Sequence, residues 1–365
     1  MKLQYLHANG IRNLQDIHLK PHPTLNLFIG PNGSGKTSLL EAIALLGMGR
    51  SFRTKDLSTV IAHSQERLIC YAEVLDKSKK FALGLEKRTS GALGLQLKGD
   101  NGVKLSEFIG NLPVQIITPD SFHLLTAGPD LRRRFIDLGV FHVEQSFLEL
   151  SFKYRKLLKQ RNAALKQNAK PEALKAWDIG LIETAEILTQ MRVNYLEAYM
   201  PVFFNILGRL LPNITIEFSY FKGWGGHLRF ETALEQAFFN DLRWKSTTVG
   251  PHRADLKFSV NGYPAQQVLS RGQQKLFICA LILAQARYLS DLKDVQSLFL
   301  IDDLASELDK HNLALILNWI LELNHQVLLT SVEEKIWDDI CQGVSHDMFH
   351  VKHGEVYLRS SILAE

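Results

Sequence analysis

Gly30-Pro31-Asn32-Gly33-Ser34-Gly35-Lys36-Thr37-Ser38 puts three glycines, a lysine and three hydroxyls into nine consecutive residues. Glycines at that spacing permit a tight turn whose backbone N–H groups converge on an anion. Lys36 can reach the terminal phosphates of a bound nucleotide, and Thr37 and Ser38 follow with hydroxyls, that of Thr37 suited to Mg²⁺. Such a turn needs a strand before it and a helix after it. Leu25–Ile29 is a short apolar run of high β-propensity. Ser38–Leu46 reads as a helix whose N-terminal dipole faces the same anion. A phosphate-binding loop is therefore expected, with Gly30 to Ser38 around the nucleotide.

Far along the chain, Leu298-Phe-Leu-Ile-Asp302-Asp303 supplies what that loop lacks. A buried strand ending in acids would set Asp302 where it holds Mg²⁺ through water. Asp303 would project toward the γ-phosphate, to orient or deprotonate the attacking water. Alone, such a run is a strand entering a turn; the glycine loop favours the metal site. Lys36, Asp302 and Asp303 are thus the expected catalytic residues, and Thr37 with Asp302 the expected metal ligands. Gln326–Thr330 reads as a further strand of a parallel sheet.

A third element lies between these two. Leu269-Ser270-Arg271-Gly272-Gln273-Gln274-Lys275 precedes the helical, apolar stretch Leu276–Leu289. Ser270, Gly272 and Gln273 at a helix start form a second possible anion site, though Ser270 could equally act only as a cap. One glycine loop hardly needs a second phosphate turn. Two copies head to tail would use it, each closing Ser270 over the nucleotide held by the other.

At 365 residues the chain can bury one large core, or a core plus a smaller lobe. Cys70, Cys279 and Cys341 have neither disulfide nor metal-ligand spacing, which suits a reducing cytosol. No apolar run approaches membrane-spanning length and no export signal is visible. A net charge of +4 makes nucleic acid a plausible partner without establishing one. The charge is uneven: Lys153, Arg155, Lys156, Lys159, Arg161, Lys166, Lys170 and Lys175 face a single acid, Glu172, across residues 151–175. A helix of about 141–169, broken at Pro171 and followed by one of roughly 172–199, makes a short hairpin with a basic first arm. Lys153, Lys156, Lys159 and Arg161 on that arm would meet a DNA backbone; the alternative is a solvated helix face.

Other residues admit two readings each. Arg50 and Arg53 either contact nucleotide or DNA or form surface ion pairs. Arg132-Arg133-Arg134 either touches phosphate or pairs with acids. His252-Arg253, in a Gly-Pro-His-Arg turn, either binds an anion or stabilises the turn. His7, His18, His22 and His63 show no ligand spacing and are expected to be ordinary surface or packing residues. The expected organisation is an ATPase core of residues 1–130 and 249–365 with a mainly helical lobe, 131–248, inserted between its halves.

GPNGSGKT at 30–37, LSRGQQK at 269–275, LFLIDD at 298–303 and SELD at 306–309 together resemble the ABC-type ATPase head of SMC-like repair proteins. More narrowly, segments 49–54, 129–137, 250–256 and 301–309, in order along nearly the whole chain, resemble the RecF family. The resemblance implies an α/β P-loop ATPase head of ABC/SMC type with an inserted helical lobe containing a short helical hairpin. It implies ATP and Mg²⁺ as cofactors and a homodimer formed in ATP, with Ser270 and Gly272 on the partner's γ-phosphate and Glu307 and Asp309 at the interface. It also implies double-stranded, single-stranded and gapped DNA as partners, RecR with RecO acting in the same pathway, and a cytoplasmic, nucleoid-associated protein. Three departures from the wider ABC pattern stand out: Arg271 replaces a second glycine, Asp303 replaces the catalytic glutamate, and Thr330-Ser331 replaces the switch histidine. Gln115 is the one candidate for the Q-loop. A transporter subunit would carry all three missing features. Hydrolysis is expected to be slow, which leaves a weak DNA-stimulated ATPase and a structural clamp of negligible turnover as the open alternatives.

Overall fold

The computed structural model describes residues 1–168 and 171–359; Lys170, counted above among the basic residues, lies outside them. The chain forms two compact units, one of residues Met1–Phe122 and Cys279–Glu365, the other His123–Ile278. Residues 123–130 and 249–278 therefore group with the inserted unit and not with the core as expected. The division falls within the continuous helix Arg271–Lys293, where the sequence carries no composition signal of a boundary.

The first unit is built on a six-stranded sheet in the order Glu355–Leu358, His346–Lys352, Leu25–Ile29, Gln326–Ser331, Leu298–Asp302 and Val114–Ile117. All neighbours are parallel except the outermost pair, Glu355–Leu358 with His346–Lys352. Leu25–Ile29 and Gln326–Ser331 are buried at every residue, which is why they are mostly apolar and show no regular polar alternation. A second, antiparallel six-stranded sheet runs Ile17–Leu19, Lys2–Asn9, Arg67–Asp76, Lys79–Arg88, Leu93–Leu97, Asp100–Asn101. The helix Lys36–Met48 packs against strands of both sheets and is buried nearly all round. Gly47 allows that closeness, since a Cβ there would fall 2.2 Å from Val114 Cγ2. No helix among the described residues is long and apolar enough to cross a membrane.

The second unit holds a helix Pro129–Val143, a hairpin of Ser146–Lys166 and Pro171–Leu210, and a three-stranded sheet, Tyr263–Pro264, Asp255–Val260, Glu217–Phe221. The hairpin differs from expectation at both ends. Its first arm starts only at Ser146, because Glu144 takes an extended backbone and separates it from the preceding helix. Its second arm continues through Pro201 to Leu210, past the expected end near 199. A proline inside a helix costs about 3 kcal/mol. Burial of Tyr199, Met200, Phe203, Ile206, Leu207 and Leu210 around it outweighs that loss, at roughly 1.5–3 kcal/mol for each large apolar side chain.

His252 has both ring nitrogens committed within this unit, which favours the turn-stabilising reading. Its Nε2–H donates to the Thr247 carbonyl (3.0 Å), so Nδ1 accepts from the Tyr154 hydroxyl at 2.7 Å. Burial lowers its pKa from 6.5 to about 4. The folded chain thus favours the neutral ring, a stabilisation complete above pH 6.5 and lost as pH falls through 4. Full expression of that shift is on the order of 3 kcal/mol. Denaturant titrations at pH 7 and pH 4.5 will show a smaller acid loss in His252→Gln than in the parent chain.

Candidate nucleotide-binding site

Strand register gathers the site. Asp302 pairs with Thr330, Ser331 with Ile29, and Ile301 with Ile117, so four parallel strands end at one edge. Ligand sites of open α/β sheets lie at such carboxyl edges. Gly30 continues from Ile29 at this edge and cannot be larger, because a Cβ would meet the Val351 carbonyl oxygen at 2.2 Å. Gly33 and Gly35 have φ of 79° and 115°, the left-handed region, and Gly35 caps the helix Lys36–Met48. The loop therefore aims the helix's free N–H groups into a cleft of about 570 Å³. Among the described residues the Ser34 hydroxyl is buried with no hydrogen-bond partner.

Lys36 Nζ donates to the carbonyls of Gly30 (2.6 Å) and Pro31 (3.0 Å). Burial is the first cause lowering its pKa, opposed by the charges of Asp303 and Asp302. Thr37 Oγ1 donates to both Asp302 oxygens, at 3.0 and 2.9 Å. Two residues 265 positions apart thus present a hydroxyl and a carboxylate to one point. Asp303, with φ of 47°, turns the chain away from the strand into the cleft. Burial raises its carboxyl pKa, against a hydrogen bond from Ser306 that lowers it.

Asn13 and Arg12 gave no sequence signal here, and Thr330 stood out only as the residue in place of the switch histidine. Thr330 Oγ1 donates to Asp302 Oδ1 (2.6 Å) and accepts from the Asp303 N–H (3.1 Å), so one hydroxyl braces both acids. Asn13 donates to the Gly33 carbonyl (2.9 Å) and accepts from Ser38 Oγ (3.0 Å), clamping the loop from the antiparallel side. Arg12 makes a bidentate pair with fully buried Glu41, at 2.9 and 3.0 Å, and Arg53 stands 3.6 Å from the same carboxylate. Arg12, Arg53 and His63 all line the cleft, and His63 is exposed there. Arg50 is exposed beyond the helix end. Gln115 lies inside its strand opposite Phe299, buried, and does not line the cleft. The residue level with Asp302 on that strand is Thr118, and Pro119 after it lines the cleft instead.

Residues 2–355 match the RecF/RecN/SMC N terminal domain family. A DNA replication and repair protein RecF of Haemophilus ducreyi is 40% identical over 361 residues, 98% of this chain and 99% of that one. The RecF of Actinobacillus pleuropneumoniae serotype 3 is 42% identical over 332 residues, 91% and 92% of the two chains. The chain belongs to the RecF family. Two solved structures of the recombination mediator protein RecF of the RecFOR pathway, RecF-ATP and RecF-ATPrS, superpose with a TM-score of 0.89 at 26% identity over 98% of both chains. An Smc head bound to the C-winged helix domain of ScpA shares the fold, with a TM-score of 0.60 at 14% identity over 99% of this chain and 98% of that one.

The other expected site residues lie in the second unit or beyond the glycine loop. Ser270 is exposed and caps the helix Arg271–Lys293 in a reciprocal box. Its Oγ accepts from Gln273 N–H (3.3 Å), and Gln273 Oε1 accepts from Ser270 N–H (2.9 Å). Asp309 likewise caps Lys310–Glu322. On the hairpin, Lys153, Lys156 and Lys159 are exposed, with Lys153 only loosely paired to Glu183 at 3.9 Å. Arg161, expected on the same DNA-facing side, is instead 1% exposed and cannot meet a DNA backbone. Its guanidinium donates to Asp178 (2.6 Å), Asp241 (2.6 Å) and Thr247 Oγ1 (2.8 Å). The arginine run at 132–134 is also largely structural. Arg132 holds Asp255 bidentately at 2.7 and 3.1 Å, Arg133 pairs with Asp130 and the Ala254 carbonyl, and Arg134 is exposed. His7 and His18 are cross-strand partners whose stacked rings share Asp16, a juxtaposition that β-pairing creates and linear spacing hides.

Thr330→Val removes a hydrogen bond to a charged acceptor, worth about 1.5–3 kcal/mol. Denaturant unfolding will show that loss for Val, and near-parental stability for Thr330→Ser.

Proposed function

We propose that this chain is a Mg²⁺- and ATP-dependent DNA-binding protein of replication and repair, in which nucleotide joins two copies head to tail and slow hydrolysis releases them. The observation that carries the reading is the meeting of Lys36, Thr37 and Asp302 at the mouth of a glycine loop, in a chain matching RecF-ATP over 98% of its length.

The residues fit the cofactors. Thr37 Oγ1 and the Asp302 carboxylate are hard oxygen donors of the kind a small divalent cation takes. A cation held there supplies positive charge against the negative charge that spreads over a transferring phosphoryl group. The loop N–H groups and the Ser34 hydroxyl cradle the phosphates, and Lys36 leaves its loop carbonyls for the terminal ones. Thr330 keeps Asp302 turned to the metal position and fixes the backbone of Asp303. Asp303, partly buried and harder to ionise than a free carboxyl, accepts a proton from water but reaches less far than a glutamate. Turnover is accordingly slow, and DNA speeds it. A clamp with negligible turnover is the second reading, favoured by the same short side chain; multiple-turnover phosphate release with and without DNA separates the two.

Dimerisation rests on Ser270 and Gly272. A Cβ at Gly272 would meet nothing within 4 Å in its own chain, so the fold itself does not demand glycine there. Close approach of a partner's γ-phosphate does. Glu307 and Asp309 complete that interface. Lys153, Lys156 and Lys159 form one exposed basic face of the hairpin, and with gapped, single- or double-stranded DNA it makes the backbone contact. RecR, with RecO acting in the same pathway, is the protein partnership that the family membership supports, in the cytoplasm at the nucleoid.

In sedimentation with ATP and Mg²⁺, Lys36→Ala will neither bind nucleotide nor dimerise. Ser270→Ala will bind nucleotide yet remain monomeric at concentrations where the parent is dimeric; an unchanged equilibrium would remove the composite site. Replacing Lys153, Lys156 and Lys159 by Gln will lower DNA affinity and flatten the dependence of log K on log salt by up to about 3. An unaltered slope moves the DNA contact elsewhere.

A further inference from the structure

The buried arginine of the hairpin leads to a second site. Arg161 and Asp241 stand at the centre of a hydrogen-bonded cluster that fixes residues 241–249. Asp241 Oδ1 accepts from the Thr248 N–H and hydroxyl, both at 2.7 Å, and Asn162 Oδ1 accepts from the Thr247 N–H (2.7 Å) and hydroxyl (2.8 Å). A second loop is tied to the first, since Gly250 N–H donates to the Gly223 carbonyl at 3.0 Å. The two must approach that closely: a Cβ on Gly223, whose φ is 104°, would sit 1.9 Å from the Gly250 oxygen. The Trp224 indole N–H is already used by the Leu228 carbonyl at 2.9 Å.

Between these loops is a cleft of about 540 Å³, lined among others by Phe221, Trp224, Trp244, Thr248 and Arg253. That volume lies within the ~300–1,000 Å³ usual for small-ligand sites. Trp244 is 66% exposed and Phe221 43%, so two ring faces stand in solvent on a braced frame. Cations surround the rings: Lys222 Nζ lies 4.9 Å from the Trp224 ring centre, the Arg243 guanidinium 5.7 Å from that of Trp244, and Arg253 is exposed in the lining. No lining residue is acidic.

We propose that this cleft binds an unpaired nucleotide of single-stranded or gapped DNA, its base stacked on Trp244 and Phe221 and its phosphate met by Arg253. Exposed aromatic faces beside the exposed Arg253 suit a ligand that is itself a flat ring carrying a negative charge. An apolar peptide would use the rings and gain nothing from the cations. Continuous duplex keeps its bases stacked inside the helix, so the cleft engages only where bases are unpaired. The proposal rests on the DNA reading above and adds what that reading lacks, a contact that distinguishes a gap from continuous duplex.

Fluorescence anisotropy of the full chain with ATP tests it, using a labelled gapped duplex, an oligo-dT strand and a blunt duplex. Trp244→Ala and Phe221→Ala should each weaken the gapped and single-stranded ligands roughly 5- to 150-fold, leaving blunt duplex within about twofold. Trp244→Phe, which keeps an aromatic face, should recover most of the loss. Equal thermal melting of the variants establishes that the fold is intact. Unchanged affinity in Trp244→Ala, or an equal loss on all three ligands, overturns the site. So does loss of a protein partner from a pull-down while DNA affinity stays intact, which identifies a protein groove instead. A parent chain that binds none of the ligands removes the DNA reading and this site together. One that binds blunt duplex in ATP without any Trp244-dependent gap preference removes this site alone.

Discussion

Parallel pairing of Leu298–Asp302 with Gln326–Ser331, and of that strand with Leu25–Ile29, is the constraint on which the nucleotide site depends. Side chains alternate faces along a strand, so a slip of one residue would turn Asp302 to the opposite face from Thr37. Unbroken burial of the two central strands holds the register, because any slip exposes or misplaces a packed apolar row. Thr330 then adds a local lock. Its hydroxyl lies between the carboxylate of one acid and the backbone N–H of the next, so pairing and side-chain orientation are fixed by the same residue. In the wider ABC pattern a switch histidine stands at this strand end. Here a threonine stands instead, and its hydroxyl is committed to the Asp302 carboxylate and the Asp303 N–H.

How much was legible depended on whether the chemistry was contiguous. The glycine loop and Asp302 were readable because loop, lysine and hydroxyl sit side by side, and because a strand ending in acid has a known place at a sheet edge. Asn13 and Arg12 were not, since each reaches the loop or its helix from a different sheet and nothing local marks it. Gln115 misled because polarity was visible while register was not: it falls two residues short of the edge.

Arg161 shows a different failure, one the sequence could have avoided. The buried positions of its helix are Phe147, Ser151, Tyr154, Arg161 and Leu165, spaced by three, four or seven residues. Arg161 thus stands on the apolar stripe, whereas Lys153, Lys156 and Lys159 stand off it. Counting charge along the run put it with the lysines; phase around the helix separates it. A buried guanidinium is tolerable only with its charge matched, and Asp178 and Asp241 supply the match. Losing either partner would strand a charge, so the pair fixes the geometry of whatever is attached to it.

What is attached is the loop that follows the helix Phe238–Trp244, whose last residue is Trp244. A solvent-exposed indole is costly to leave unburied, and a flexible loop would fold it inward. The Arg161–Asp241–Thr248 cluster prevents that by using the loop's own N–H and hydroxyl groups, leaving the backbone no freedom to collapse. The same helix therefore does two things by phase: its outer face offers lysines, and its inner face spends an arginine on holding aromatic rings in water. Backbone charge alone cannot tell continuous DNA from interrupted DNA, because phosphates recur along both. A group that meets bare base faces makes that distinction directly, and in the proposed site the rings beside Arg253 would be that group.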